Sequence, residues 1–111
     1  MRVTFGTEIR RARLEKKLSL KEVADKVLKE PGEHPRATSS PISPQYLNDL
    51  EHDRRNPPSE HIIGQLAKVL GLPRDYLTAL AGQLPPDIRP GEHKPEQIEA
   101  AFKAFRQALR R

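Results

Sequence analysis

Helix start and stop signals recur so closely along this chain that only short helices fit between them. Thr4 can cap a first helix with Phe5, Ile9 and Ala12 on one face, ending near Lys17. In "SLKEVADKVL", Ser19 and Glu22 have capping-box spacing, and Leu20, Val23, Ala24 and Val27 form the buried stripe of a second helix. Ser43 followed by Pro44 opens a third helix, because a missing amide hydrogen does no harm in the first turn. Tyr46, Leu47 and Leu50 face inward there, and "NPP" stops the helix. Ser59 caps a fourth, with Ile63, Leu66, Ala67 and Leu70 inward and Gly71 as its stop. Pro73 opens a fifth, closed by Gly82, and "LPPDIRPGEHKP" follows as a linker. The last stretch sets Ile98, Phe102, Phe105 and Leu109 at heptad-like spacing. No segment alternates with period two for long enough to make a strand, so the expected class is all-α.

Between the second and third helices lies "LKEPGEHPRATSSPIS", in which Pro31, Pro35 and Pro41 and the glycine forbid a continuing helix. Loop closure rises by only about 0.6 kcal/mol per doubling of length, so such a segment is tolerable between two packed helices.

Composition narrows the function. With 111 residues the core is thin, and dimerisation can supply missing burial. The absence of cysteine removes disulfides, thiolate metal sites and cysteine nucleophiles. His34, His52, His61 and His93 have no metal-site spacing, so no metal is expected. There is no glycine-rich phosphate loop, nucleophile motif or evident carboxylate pair, so neither an enzyme nor a cofactor is expected. No apolar run suits a signal peptide or a membrane span, and the expected location is the cytoplasm, in association with the nucleoid. The net charge of +5 is concentrated early: residues 1–30 carry nine basic and five acidic side chains. Such a surface suits nucleic acid, an anionic membrane or an acidic partner.

The third helix projects Gln45, Asn48 and Asp49 outward, and amide side chains are the type that reads adenine in the major groove. Arg54 and Arg55 follow, with the charge and reach to grip phosphates. At this point "FGTEIRRARLEKKLSLKEVA", "ISPQYLNDLEHDRRNPPS" and "LAKVLGLPRDYLTALAG" resemble, in order, the lambda-repressor-like (Cro/Xre) helix-turn-helix family over residues 5 to about 84. The resemblance implies a five-helix DNA-binding domain over residues 1–84, and the pattern beyond it reads as a Pro-rich linker over 85–94 and a C-terminal helix over 95–111. It implies base reading by Pro44, Gln45, Asn48 and Asp49, and backbone contacts from Ser19, Arg54, Arg55 and Asn56. It further implies a structural ion pair between Arg13 and Glu51. Lys17 stands where the family usually has glycine, so a left-handed backbone is expected there. Residues 29–42 read as an insertion in the turn, whose Arg36 could also reach the backbone.

The expected function is a sequence-specific double-stranded DNA-binding regulator, a repressor, dimerising through Ile98, Phe102, Phe105 and Leu109. The alternative is an antitoxin or adaptor whose C-terminal helix binds a protein partner such as a toxin or regulator.

Overall fold

The first turn of the chain's first helix is tied to the end of its third, and this joint sets the rest of the arrangement. A computed structural model describes residues 2–30 and 40–110. Its helices are α1 (Phe5–Glu15), α2 (Leu20–Ala24), α3 (Pro44–Glu51), α4 (Glu60–Leu70), α5 (Arg74–Leu80) and α6 (Pro95–Leu109), with a 3₁₀ turn at Pro90–Glu92. The class is all-α. One core gathers Phe5, Ile9 and Ala12 of α1, Val23 and Ala24 of α2, and Leu47 and Leu50 of α3. Ile63, Leu66 and Leu70 of α4 and Leu77 of α5 complete it.

Local chemistry explains the boundaries. Thr4 accepts from the Thr7 amide at 3.1 Å while Thr7 Oγ1 accepts from the Thr4 amide at 2.9 Å, a reciprocal cap for α1. Ser19 and Glu22 do the same for α2, each bond 3.0 Å long. Glu22 accepts the Ser19 amide, which holds its carboxyl below the usual glutamate range. Ser59 precedes α4 as expected, but its side chain makes no capping bond.

Four helices end alike, with a six-to-one hydrogen bond closing over a left-handed residue. The bonds are Leu18 N–H to Arg13 O at 3.1 Å, Arg54 to Asp49 at 2.9 Å, Leu72 to Ala67 at 2.9 Å and Gln83 to Thr78 at 3.1 Å. Gly71 and Gly82 take the left-handed position in α4 and α5, but Lys17 (φ 59°) and Asp53 (φ 55°) take it in α1 and α3. Asp53 has a compensating use. Its carboxylate accepts from Thr4 Oγ1 at 2.7 Å and from the Gly6 amide at 3.1 Å. Gly6 must be glycine for this: a Cβ there would lie 2.4 Å from the Leu50 carbonyl oxygen and 2.7 Å from that of Glu51.

The second helix is shorter than its sequence pattern suggests. It ends at Ala24, and Val27 reaches the core from the turn beyond. The chain leaves the helix because the backbone of Val27–Lys29 is needed elsewhere. Ile42 N–H donates to Val27 O, and Lys29 N–H to Ser40 O, each at 2.8 Å, forming an antiparallel bridge between Leu28 and Pro41. Gln65 of α4 extends this ladder from the other side. Its Nε2 donates to Leu28 O and its Oε1 accepts the Leu28 amide, both at 2.8 Å. The insertion is therefore pinned shut at its base, and Ile42, read as its last residue, is 2% exposed and part of the core.

Arg13 and Glu51 complete the α1–α3 joint. Arg13 Nε donates to Glu51 Oε2 at 2.6 Å and NH2 to Oε1 at 2.9 Å, while NH1 donates to Leu18 O at 2.8 Å. The fork-to-fork geometry and the bond to Leu18 use three of the guanidinium's five N–H donors in a buried place. The Glu51 hydrogen bonds hold Arg13 above the usual arginine range despite the opposing effect of burial.

Two stability measurements follow, both by denaturant titration. Gly6→Ala forces the backbones of α1 and α3 apart and costs about 1–3 kcal/mol, whereas Gly91→Ala, where an added Cβ meets open space, stays within about 0.5 kcal/mol of wild type. Arg13→Ala strands the Glu51 carboxylate and costs about 3–5 kcal/mol, and the apolar pair Arg13→Met with Glu51→Leu recovers much of that loss.

Candidate nucleic-acid interface

Two buried leucines orient α3. Leu47 and Leu50 point into the core, so Pro44 and Gln45 are exposed on the opposite side and Asn48 and Asp49 lie half-buried at its margin. Ser43 starts the helix firmly, its hydroxyl oxygen accepting the Tyr46 amide at 3.0 Å. At the other end, the Arg54 amide bonds Asp49 O, which turns the chain back beside the helix it has just left.

That reversal assembles a small polar cluster. Gln45 Nε2 donates to Asp49 Oδ1 at 3.0 Å. Arg54 NH1 lies 3.7 Å from Asp49 Oδ1, and Arg55 Nε lies 4.0 Å from Oδ2. The Arg55 guanidinium sits 5.5 Å from the centre of the Tyr46 ring, within cation–π range. Both arginine side chains remain about 60% exposed. They are therefore positioned by Asp49 without being consumed by it, since exposed pairs at these distances hold loosely. One N–H of the Gln45 amide is committed to Asp49. Its Oε1 and second N–H stay available, which is the donor–acceptor pair an adenine edge requires.

Other expected site residues fall in different places. Ser19 is exposed at the start of α2, with its oxygen engaged by Glu22 and its hydroxyl proton still available to an acceptor. Asn56 is exposed in the loop after α3. Arg36 and His34 lie outside the described residues. Arg11, exposed on α1, forms ion pairs with Glu8 and Glu15. Its hydrogen bond holds the Glu8 carboxyl below the usual range. Ile98 is half-buried, while Phe102, Phe105 and Leu109 are 40, 57 and 71% exposed, and no residue of α6 is buried. The stripe is thus not folded back into the core.

Sequence reasoning missed Asp53 and Gln65 altogether. Neither sits in a motif; each acts through a partner more than thirty residues away, and only the packed fold shows the pairing. Among the described residues no group of side chains suits a metal ion, and no helix is long and apolar enough to cross a membrane.

Residues 4–80 match the family described as "Helix-turn-helix domain", about two-thirds of the chain. The chain belongs to this helix-turn-helix family. The matched stretch takes in α1 to α5. A solved SinR protein/SinI protein complex is similar at 20% identity with a TM-score of 0.49, covering 97% of this chain and 84% of that one. No curated protein matches. As a helix-turn-helix protein it carries a DNA-binding domain, and the segment between α2 and α3 is pinned at its base.

Because Asp49 fixes the rotation of the Gln45 amide, Asp49→Ala frees that amide. On the base-reading role proposed below for Gln45, competition binding against single-base variants of a selected site shows the variant's preference at one base falling about tenfold, within the 1–3 kcal/mol range of a bidentate base contact. Its affinity for unrelated duplex rises, because a carboxylate has been removed from beside two exposed arginines.

Proposed function

We propose that this protein is a sequence-specific double-stranded DNA-binding transcriptional regulator, acting as a repressor, which lays α3 in the major groove. The observation that carries this reading is the cluster on α3: an exposed Gln45 braced by Asp49, flanked by Arg54 and Arg55, on a helix locked to α1. Gln45 reads a base edge, Pro44, Asn48 and Asp49 shape the contact, and Ser19, Arg54, Arg55 and Asn56 hold the backbone. Phosphate contacts position the domain and base contacts specify the site.

A single small domain covers few base pairs, so specificity improves when two copies bind half-sites one helical turn apart. The α6 stripe of Ile98, Phe102, Phe105 and Leu109 supplies a dimerisation face, because two exposed phenylalanines on one helix favour burial against another surface. The same stripe supports a second reading, an antitoxin or adaptor whose α6 grips a different protein. Solution mass separates the two: a stable dimer supports self-pairing, and a monomer favours the partner.

The functional test is selection of binding sites from a randomised duplex library at roughly 0.15 M salt, where nonspecific attraction is held down. The expected result is an enriched inverted repeat. Gln45→Ala changes the preferred base at one position of each half-site, while Arg54→Ala weakens binding to all sequences alike. Recovery of no motif would contradict the reading.

A further inference from the structure

The base of the insertion forms one wall of a cleft beside α3. This cleft has a volume of about 380 Å³ and is lined by Lys29, Ile42, Ser43, Tyr46, Arg55 and Ile62. We propose that Lys29 and Arg55 together hold a single phosphodiester of the DNA backbone in this cleft, so that the insertion contributes directly to DNA binding through its stem. The proposal rests on the DNA-reading function above and adds to it a residue that belongs to the insertion rather than to the helix-turn-helix.

Several observations converge on an anionic occupant. Two of the six lining residues are cations and none is an acid. Lys29 has no carboxylate partner among the described residues. Its backbone is fixed: its amide bonds Ser40 O at 2.8 Å, and the neighbouring Leu28 is clamped on both sides by Gln65. Arg55 reaches the cleft from the opposite wall, its guanidinium over the Tyr46 ring and only its Nε edge near Asp49. That leaves its terminal N–H groups to pair with phosphate oxygens. Ser43 Oγ already accepts from the Tyr46 amide, so its hydroxyl proton is free to donate. The remaining walls are apolar, with Ile42 buried and Ile62 and the tyrosine ring partly buried, which strengthens charge interactions at the cleft.

The chemistry alone would also accept a carboxylate from a protein partner. The cleft's position favours DNA: Ser43 opens α3, and Arg55 already belongs to the cluster around Gln45 and Asp49. A duplex seated on α3 brings its backbone to this edge.

The test measures binding of the full chain to a random-sequence duplex of about thirty base pairs across a salt series, for wild type, Lys29→Gln, Arg55→Gln, the double variant and Lys29→Arg. Both residues are exposed, and thermal melts verify that each variant folds. One neutralised phosphate contributes a slope of about 0.9 in log affinity against log salt. Each single Gln variant should weaken binding and flatten the slope. Because both cations serve one phosphate, the double variant should lose about 0.9 in total, and Lys29→Arg should bind like wild type. Wild-type affinity and slope in Lys29→Gln would overturn the proposal. So would a double variant that loses about 1.8, since that means two separate phosphates. Absence of salt-dependent duplex binding by the wild type would instead bring down the DNA reading itself, a result distinguishable from either.

Discussion

The buried pairing of Arg13 with Glu51 is the constraint from which the rest of the architecture follows. Glu51 is the last residue of α3, and Arg13 lies in the last turn of α1, also holding the carbonyl of Leu18 just before α2 begins. Three elements are thus referred to one guanidinium. A charge pair removed from water gains little net stability, because desolvation offsets most of the attraction. What it does provide is direction: a planar fork accepts a carboxylate in one geometry, which fixes the roll of α3 about its axis. For the proposed presentation of Gln45 rather than its neighbours to a base pair, that roll matters more than a kilocalorie of stability.

The same joint explains two backbone peculiarities. Gly6 lets the start of α1 touch the last carbonyls of α3, and Asp53 adopts a left-handed conformation so that its carboxylate can receive Thr4 and Gly6. Lys17 bears a similar strain of about 1 kcal/mol with no comparable side-chain return. The insertion is accommodated without disturbing this joint, because its ends are stitched together between Val27–Lys29 and Ser40–Ile42. The turn of the helix-turn-helix can therefore grow while the helices on either side stay anchored in one core.

Much of this was legible in the residues. Reciprocal caps at Ser19–Glu22, the Ser43-Pro44 start and the glycine stops at Gly71 and Gly82 are local devices, decided by a few adjacent side chains, and the helices begin and end on them. The premature end of α2 was not legible, because its apolar stripe continues through Val27 in a turn that satisfies the same core position. Nor was the ladder made by Gln65, a polar residue on the helix that carries the core's Ile63 and Leu66. Its role depends on the backbone of a segment far away in sequence. On the exposed face of α3, residue types were readable from the sequence, but the cluster that Arg54 and Arg55 form with Asp49 depends on how the loop after α3 turns back.

The central claim is that a rigid α3, held by α1, is the surface that meets DNA. The most direct measurement is an amide-by-amide NMR map of the full chain as a selected duplex is added. The account predicts perturbations concentrated at Ser19, Ser43–Asp49 and Arg54–Asn56, with Ile9, Leu66 and the other core amides nearly still. Perturbations gathered instead along Ile98–Leu109, with the α3 amides unmoved, would contradict it.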